Sequence, residues 1–568
     1  MTPPRASSPK NQPSTARKVP VRRAVVIGGG ISGLASAALL ARDGFAVTVL
    51  EQRTQLGGRA GSWERDGFRF DTGPSWYLMP EVFDHFFQLL GTSADEQLDL
   101  VKLDPGYRVY SEGYDDPIDL RASREDNLAL FESIEPGAGA RMAKYLDSAA
   151  ETYEMAVRRF LYGTFQDFRK LAAPDVLLRM GKLARLLIEP LSTFAESAVR
   201  DRRLWQILGY PAVFLGTSPY AAPSMYHLMS HLDLADGVLY PKGGITEVIA
   251  AVERVARAEG AQIIAGAKVE RIQVEGGHVT GVVHRDRRGA QHVAPADVVV
   301  SAADLRHTEM QLLDREHRTH DESHWKKRDP GPSAVLVYLG VDGPVPGLLH
   351  HTLVFTADWK ANFGAVFGDD RHVPDPASIY VCAPSETDPT VAPRGSSNLF
   401  ILVPLPADVG IGKGGLDGAG DYEVEQIADR AIDVVAERSG VPDLRDRIRV
   451  RKTIGPRDFA DDFNAWSGSM LGPAHTLKQS AFFREGNASE KVEGLYYAGS
   501  STIPGIGLPM CLISAEVLLK RIHGDTSTEP LPTPLERADG APPRPQKRAP
   551  RRTPTTPLPP TKTPAATT

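Results

Sequence analysis

The period of the apolar residues changes several times along the chain, and each change predicts an element. Residues 24–27 read Ala-Val-Val-Ile. That all-apolar run suits a parallel strand covered on both faces. A stretch of small residues at helical spacing follows, then a second apolar run, Ala46–Leu50, ending in the acid Glu51. In mid-chain, Gly243-Gly244-Ile245 opens a helical pattern through Ala258. Gln262–Ile264 and Ala267–Ile272 then read as strands, with a polar hairpin and Asp297–Ala303 after them. Residues 140–235 predict mostly helix. Within them, 175–187 set Arg179, Lys182 and Arg185 at three-residue spacing, with Val176, Met180, Leu183 and Leu187 on another face. Near the carboxyl end, LYYAGS predicts a buried strand, and STIPGIGLPM an apolar turn into a helix from about Leu508. That turn has too many Gly and Pro for a helix and is too greasy for an ordinary loop.

The first of these patterns carries a nucleotide-binding signature. Gly28-x-Gly30-x-x-Gly33 lies between the first strand and the first helix, and Glu51 stands about 20 residues on. Gly28 permits the tight turn, Gly30 lets a pyrophosphate approach the backbone beside Ile31 and Ser32, and Gly33 and Ala37 let the helix lie close on the sheet. The helix N-terminus faces the phosphates. Glu51, with Gln52 beside it, is placed to accept hydrogen bonds from ribose hydroxyls, which argues against a 2′-phosphate. The fold class expected is α/β, with a Rossmann-like dinucleotide domain. Gly57-Gly58-Arg59 extends the unit: the glycine pair permits close approach to a bulky cofactor, and Arg59 supplies charge near the pyrophosphate or a flavin. This extension resembles that of the amine-oxidase-like flavoproteins, which implies FAD rather than NAD. In that superfamily the strand at AKVERI passes the adenine, so Val269 is the candidate for a backbone contact there.

Composition limits the alternatives. With 568 residues there is chain for several domains, and the net charge of −6 gives no case for nucleic acid. The two cysteines, Cys382 and Cys511, lie far apart, cannot build a disulfide framework or a cysteine metal site, and read as reduced packing residues. Residues 1–23 carry six bases and no acid, and residues 525–568 hold twelve prolines, so both ends are expected to be disordered, either solubilising or adhering to anionic lipid headgroups. Arg22-Arg23 before an uncharged stretch imitates a signal peptide or membrane span, but the glycines break it at nucleotide-fold spacing. The expected location is cytoplasmic, at most peripheral on the inner face of the membrane.

Longer blocks are more specific. GFRFDTGPSWYLMPEVFDHFFQLLG (67–91), YPKGGITEVIAAV (240–252), YLGVDGPVPGLLHHTLVF (338–355), PSETDPTVAPRGSSNLFILVPLP (384–406) and GLYYAGSSTIPGIGLPMCLISAE (494–516) resemble the bacterial-type phytoene desaturase family of carotenoid oxidoreductases. Together they span most of 24–523. The resemblance implies an FAD-dependent desaturase acting on phytoene, a hydrophobic polyene, at a membrane surface, with oxygen or a quinone as electron acceptor. It also implies an FAD domain from 24–75, 236–305 and 485–524, an α+β substrate domain from 76–139 and 306–484, and a helical, membrane-facing subdomain at 140–235. The helix 175–187 then suits a membrane interface as well as a solvated surface.

The turn near the carboxyl end now has an implied role. Gly499, Gly507, Leu508, Pro509 and Met510 bring backbone close to the flavin ring, and the helix dipole stabilises the anion that reduced flavin becomes. TFQDFRKLAAP (164–174) resembles the family segment with an acid facing the flavin, which implies Asp167 as the catalytic carboxylate. Gln166 departs from the Arg common there. His350 and His351 read as structural or tunnel-lining, with no metal expected. The alternatives left open are another carotenoid-type oxidoreductase (dehydrosqualene desaturase, carotene isomerase, terminal carotenoid oxidase), an amine or protoporphyrinogen oxidase, and a non-enzymatic isoprenoid-binding chaperone.

Overall fold

The nucleotide pattern builds a five-stranded parallel sheet in the order Leu495–Tyr497, Val298–Ser301, Arg23–Ile27, Ala46–Glu51, Gln262–Ala265. These coordinates are a computed structural model that describes residues 21–166 and 180–538. The central strand runs Val25, Val26 and Ile27 with almost no exposure, as a strand covered on both faces must. One face carries the helices Ile31–Arg42, Thr246–Glu259 and Leu508–His523, packed against each other. The other face carries a three-stranded antiparallel sheet, Lys268–Glu275, His278–Arg285 and Gln291–Pro295. The sequence that resembles a signal segment is thus split into a buried strand and a buried helix.

A seven-stranded sheet forms the second body, in the order Ile448–Ile454, Ser333–Asp342, Ser396–Leu405, Ile379–Cys382, His351–Phe355, Tyr107–Ser111, Ile118–Leu120. Its pairs are antiparallel except His351–Phe355 with Tyr107–Ser111. Ser333–Asp342 is buried at every position but the last, because helix Tyr422–Ser439 covers one side and the aromatic cluster around Phe68 and Phe70 the other. Helices Ala138–Ala156, Leu191–Ala198 and Arg202–Gly209 close the far end of this sheet.

Asp71 accepts from the Ile245 and Thr246 N–H groups at 2.7 and 3.1 Å and caps helix Thr246–Glu259. One local expectation changes. The tail boundary at 525 falls too early. The buried Lys520 ammonium donates to the carbonyls of Tyr162, Ser527 and Glu529 at 2.7–2.9 Å. Further on, Leu535 N–H donates to Leu89 C=O, and Arg537 pairs with Glu259. A proline-rich strand cannot build a ladder, but its carbonyls can still satisfy a buried cation. Residues 539–568 lie outside the described residues. Among the described residues, no helix is long and apolar enough to cross a membrane.

Candidate active site

A cavity of about 670 Å³ is lined by the glycine fingerprint and by residues of both bodies, and the half-exposed Phe482 and Phe483 border it. At its nucleotide end the sequence-predicted residues converge. Gly28, Gly30, Ile31, Ser32, Glu51, Gln52, Gly57, Gly58, Arg59, Val269, Gly499, Gly507, Leu508, Pro509 and Met510 all line it. Gly33 stands back. A Cβ there would lie 2.0 Å from the Gly28 carbonyl oxygen, so this glycine serves helix–strand packing.

Gly30 is the opposite case. Its backbone is extended, with φ −75°, and suits any residue. A Cβ on it would meet no protein atom closer than 3.9 Å and would stand in the cavity. Nothing in the protein requires a glycine there, whereas a ligand in contact with the backbone does. The Gly57-Gly58 turn faces it, held by a 2.9 Å hydrogen bond from Gly57 N–H to Gly29 C=O. Glu51 performs a task beyond the one expected. Its two carboxylate oxygens accept from Gly29 N–H and Arg53 N–H, each at 2.7 Å, and so clamp the glycine loop from behind.

Arg59 is half-buried, and its buried Nε has no hydrogen-bond partner. Its one described hydrogen bond is a long one of 3.5 Å to Ser469 C=O. Burial pulls its pKa down, and the nearby Asp304 and Cys511 only partly oppose this. A half-buried guanidinium with an orphaned, buried donor beside an open glycine cradle fits a pyrophosphate or a flavin that carries negative charge. The opposite wall is the carboxyl-terminal turn. Gly499, at φ +117°, brings it against Ser32 in the first turn of the fingerprint helix. Gly507, at φ +121°, starts the 16-residue helix Leu508–His523. Free N–H groups at such a helix start favour negative charge.

Away from the nucleotide end the lining turns apolar and aromatic. Trp76 is the hub: it stacks on His351 at 4.3 Å and meets Tyr107 and Phe214 edge-on or tilted at 5.3 and 5.4 Å. Phe355, Trp359 and Phe363 continue the wall. His350 and His351 are buried behind it. Their Nδ1 atoms meet Thr387 Oγ1 and Tyr380 OH at 2.8 and 2.7 Å; burial lowers the His350 pKa to about 3 and holds that of His351 well below its usual value. Both rings are therefore neutral and brace the wall through Trp76. One nitrogen from each ring and the Cys382 sulfur lie within 4.8 Å of one another, a grouping that residue spacing did not disclose. Cys382 and Cys511 are free, buried thiols.

Asp167 lies outside the described residues, as does Arg179. The chain leading to Asp167 borders the cavity through Phe160, Leu161 and Phe165. Among the described lining residues the carboxylates are Glu51, Asp304 and Asp462, all at the nucleotide end. The predicted basic helix is present as Met180–Ile188, where the exposed Arg185 pairs with Glu189 at 2.9 Å. Sequence reasoning missed Trp76, His475, Phe482, Phe483 and Arg484. Trp76 stands in the 67–91 block without being singled out there, the others stand in none of the blocks, and the signal of all five is the packing.

Comparison with known proteins agrees with this geometry. Residues 31–516 match the family of flavin containing amine oxidoreductases. A carotenoid 3,4-desaturase of Haloarcula japonica is 41% identical over 86% of this chain and 96% of its own. The zeta-carotene-forming phytoene desaturase of Myxococcus xanthus is 35% identical over 88% and 94%, and the phytoene desaturase of Fusarium fujikuroi 31% over 88% and 89%. An oxidoreductase structure from Methanosarcina mazei shares the fold at TM-score 0.57 and 19% identity, covering 88% of this chain and 100% of that one. The cyclohexylamine oxidase of Brevibacterium oxydans does so at 0.52 and 14%, covering 89% and 100%. The chain belongs to the phytoene desaturase family of these flavoproteins and is an FAD-dependent oxidoreductase. That sets aside the non-enzymatic carrier.

Proposed function

We propose that this flavoprotein desaturates a C40 carotenoid precursor, phytoene, in steps toward lycopene. The observation that carries the reading is the continuity of the cavity: one apolar channel leads from an aromatic wall to the nucleotide cradle. Each step removes a hydride and a proton from adjacent methylene carbons and leaves a C=C bond. Bound FAD supplies the hydride acceptor, and the electron pair then passes to oxygen or a quinone.

The residues of this chain do the rest. Trp76, Phe355 and Trp359 hold a flat hydrocarbon and keep water away from it, which orients the reacting carbons and raises the weight of every nearby charge. Loss of hydride leaves an allylic cation. Asp167 is the group we assign to stabilise that cation and accept the proton. Support comes from the described lining: its carboxylates all stand at the nucleotide end, leaving that role unfilled along the aromatic limb. Glu51 is assigned to the ribose, the Val269 backbone to the adenine, and Arg59 to the pyrophosphate or ring.

Substrate enters from lipid in this reading. Leu187, Leu477, Phe482 and Phe483 border the cavity and are each more than a third exposed, and Ile188 beside them is 79% exposed. Such a patch bordering the cavity, next to the helix carrying Lys182 and Arg185, suits peripheral contact with the inner membrane face. A second reading follows from the 41% identity to a 3,4-desaturase: action on a carotenoid that is already desaturated. Expression in two strains decides, one accumulating phytoene and one lycopene. Coloured product in the first supports phytoene. A pigment shift only in the second replaces it with the later step.

A further inference from the structure

The turn 499–507 is held from behind by three buried polar side chains. Asn487 Nδ2 donates to Tyr497 C=O and Ile503 C=O at 3.1 and 3.2 Å. His475 Nε2 accepts from Ile506 N–H at 3.1 Å, which puts its proton on Nδ1, facing Tyr226 OH at 3.0 Å. Burial, and then Arg484, holds His475 well below its usual pKa, so the ring is neutral.

Arg484 is the third. Its guanidinium is buried and donates to Thr502 C=O and Gln479 C=O at 3.2 and 3.1 Å, and to the carbonyls of Pro473 and Ser500. Every acceptor in its described hydrogen bonds is a main-chain carbonyl. The neighbouring Glu485 is taken up by His320, His324 and Arg328 at 2.5, 2.9 and 3.1 Å. Burial lowers the Arg484 pKa to about 10, still charged at neutral pH. A buried cation with no carboxylate against it is costly unless something negative is brought near.

Two further features point the same way. Burial pushes the Cys511 thiol up to about 12, and the two groups that oppose this are Arg59 and Arg484. Cys511 lies in the first turn of helix Leu508–His523, whose start faces the cavity. Two guanidiniums, Arg484 buried and Arg59 half-buried, and a helix N-terminus therefore act on one short segment of cavity wall. Such a set is matched to a ligand that gains negative charge.

We propose that Arg484 is a positioning residue for the flavin: it draws the Ser500 and Thr502 carbonyls out of the cavity, so that the turn offers its N–H side, and its charge raises the reduction potential of the bound ring. The proposal rests on the reading that the 499–510 turn faces the flavin, and it needs no carotenoid to be tested. Sulfite is a suitable probe, since it adds reversibly to oxidised flavin and places negative charge on the ring.

In the full-length holoprotein, Arg484→Gln is expected to weaken sulfite binding about tenfold, the scale of one partly screened charge. The two-electron midpoint potential should fall by the corresponding amount, about 30 mV. Arg484→Lys keeps the charge and loses the fork, so it should lower thermal stability while leaving sulfite affinity and potential near wild type. Arg484→Gln with full FAD content and unchanged sulfite affinity and potential overturns the proposal. If Arg484→Gln loses FAD, Arg484→Lys carries the test, and a loss of sulfite affinity as large as tenfold there overturns it. Met510→Gln separates this from the underlying placement. A flavin spectrum untouched by Met510→Gln would overturn the placement of the turn itself, and the role of Arg484 with it.

Discussion

The two ends of the cavity are built from different materials. The nucleotide end is mostly backbone: Gly28, Gly30, Gly57, Gly58, Gly499 and Gly507 bring main chain to the surface, and Glu51 locks the loop through two N–H groups. The substrate end is mostly side chain: Trp76, Phe214 and the run Phe355, Trp359 and Phe363 come from three distant segments and meet only in the folded molecule. Backbone geometry tolerates little change, because a Cβ at the wrong place has nowhere to go. An aromatic wall tolerates exchange of one large side chain for another at modest cost. The first end should therefore fail abruptly on substitution, and the second by degrees.

The largest expected effect follows from Gly30. Gly30→Val puts three carbons into the cavity, the first of them no closer than 3.9 Å to protein, so the chain should fold with its apoprotein stability and hold no FAD. Flavin absorbance after purification and thermal melting against wild-type apoprotein check both halves. A variant that purifies yellow would break the distinction between Gly30 and Gly33.

Next is Asp167→Asn, which keeps shape and removes charge. It should retain FAD and thermal stability and lose desaturation by about 10²-fold or more. Wild-type conversion of phytoene by this variant would leave catalysis to flavin and cavity shape alone. A smaller effect is expected at the exposed apolar patch. Phe482→Ser combined with Phe483→Ser removes two half-exposed rings, about 1 kcal/mol of interfacial burial each, or roughly thirtyfold in liposome binding. Flotation and turnover of liposome-borne substrate should fall together, with melting temperature unchanged.

The smallest effect is on stability. Burial raises the Asp71 carboxyl to about 6 in spite of the two N–H groups it accepts from. The ordinary value in an unfolded chain is about 4. The folded state thus holds this proton more tightly, so the group's contribution is full below about pH 4 and is lost as pH rises through about 6. Asp71→Asn should flatten that part of the stability profile relative to wild type, as denaturant melts at several pH values would show. An unchanged slope would mean that the carboxylate is better solvated than its packing indicates.

Particular residues show how much of the site was legible. The strand Arg23–Ile27, the helix Ile31–Arg42 and the acid at Glu51 follow from local rules, because a dinucleotide cradle is made within one strand–turn–helix unit. Val269, Gly499 and Gly507 rested on resemblance, since nothing in their own neighbourhoods names a flavin. The role of Asp71 was not legible for the same reason. Its partners, Ile245 and Thr246, are more than 170 residues away, and no spacing rule reaches that far.

What the sequence determined by itself was therefore the part whose physics is local: strand, glycine turn, helix start and the backbone cradle they make. The family came from longer blocks of the same chain. Tertiary structure alone decided which aromatic side chains face one another, which exposed rings border the cavity, that Lys520 is satisfied by the carbonyls after residue 525, and that Arg484 sits charged behind the 499–507 turn. These depend on which surfaces are brought together and dried. Burial changes the worth of a charge or a ring far more than its neighbours in sequence do.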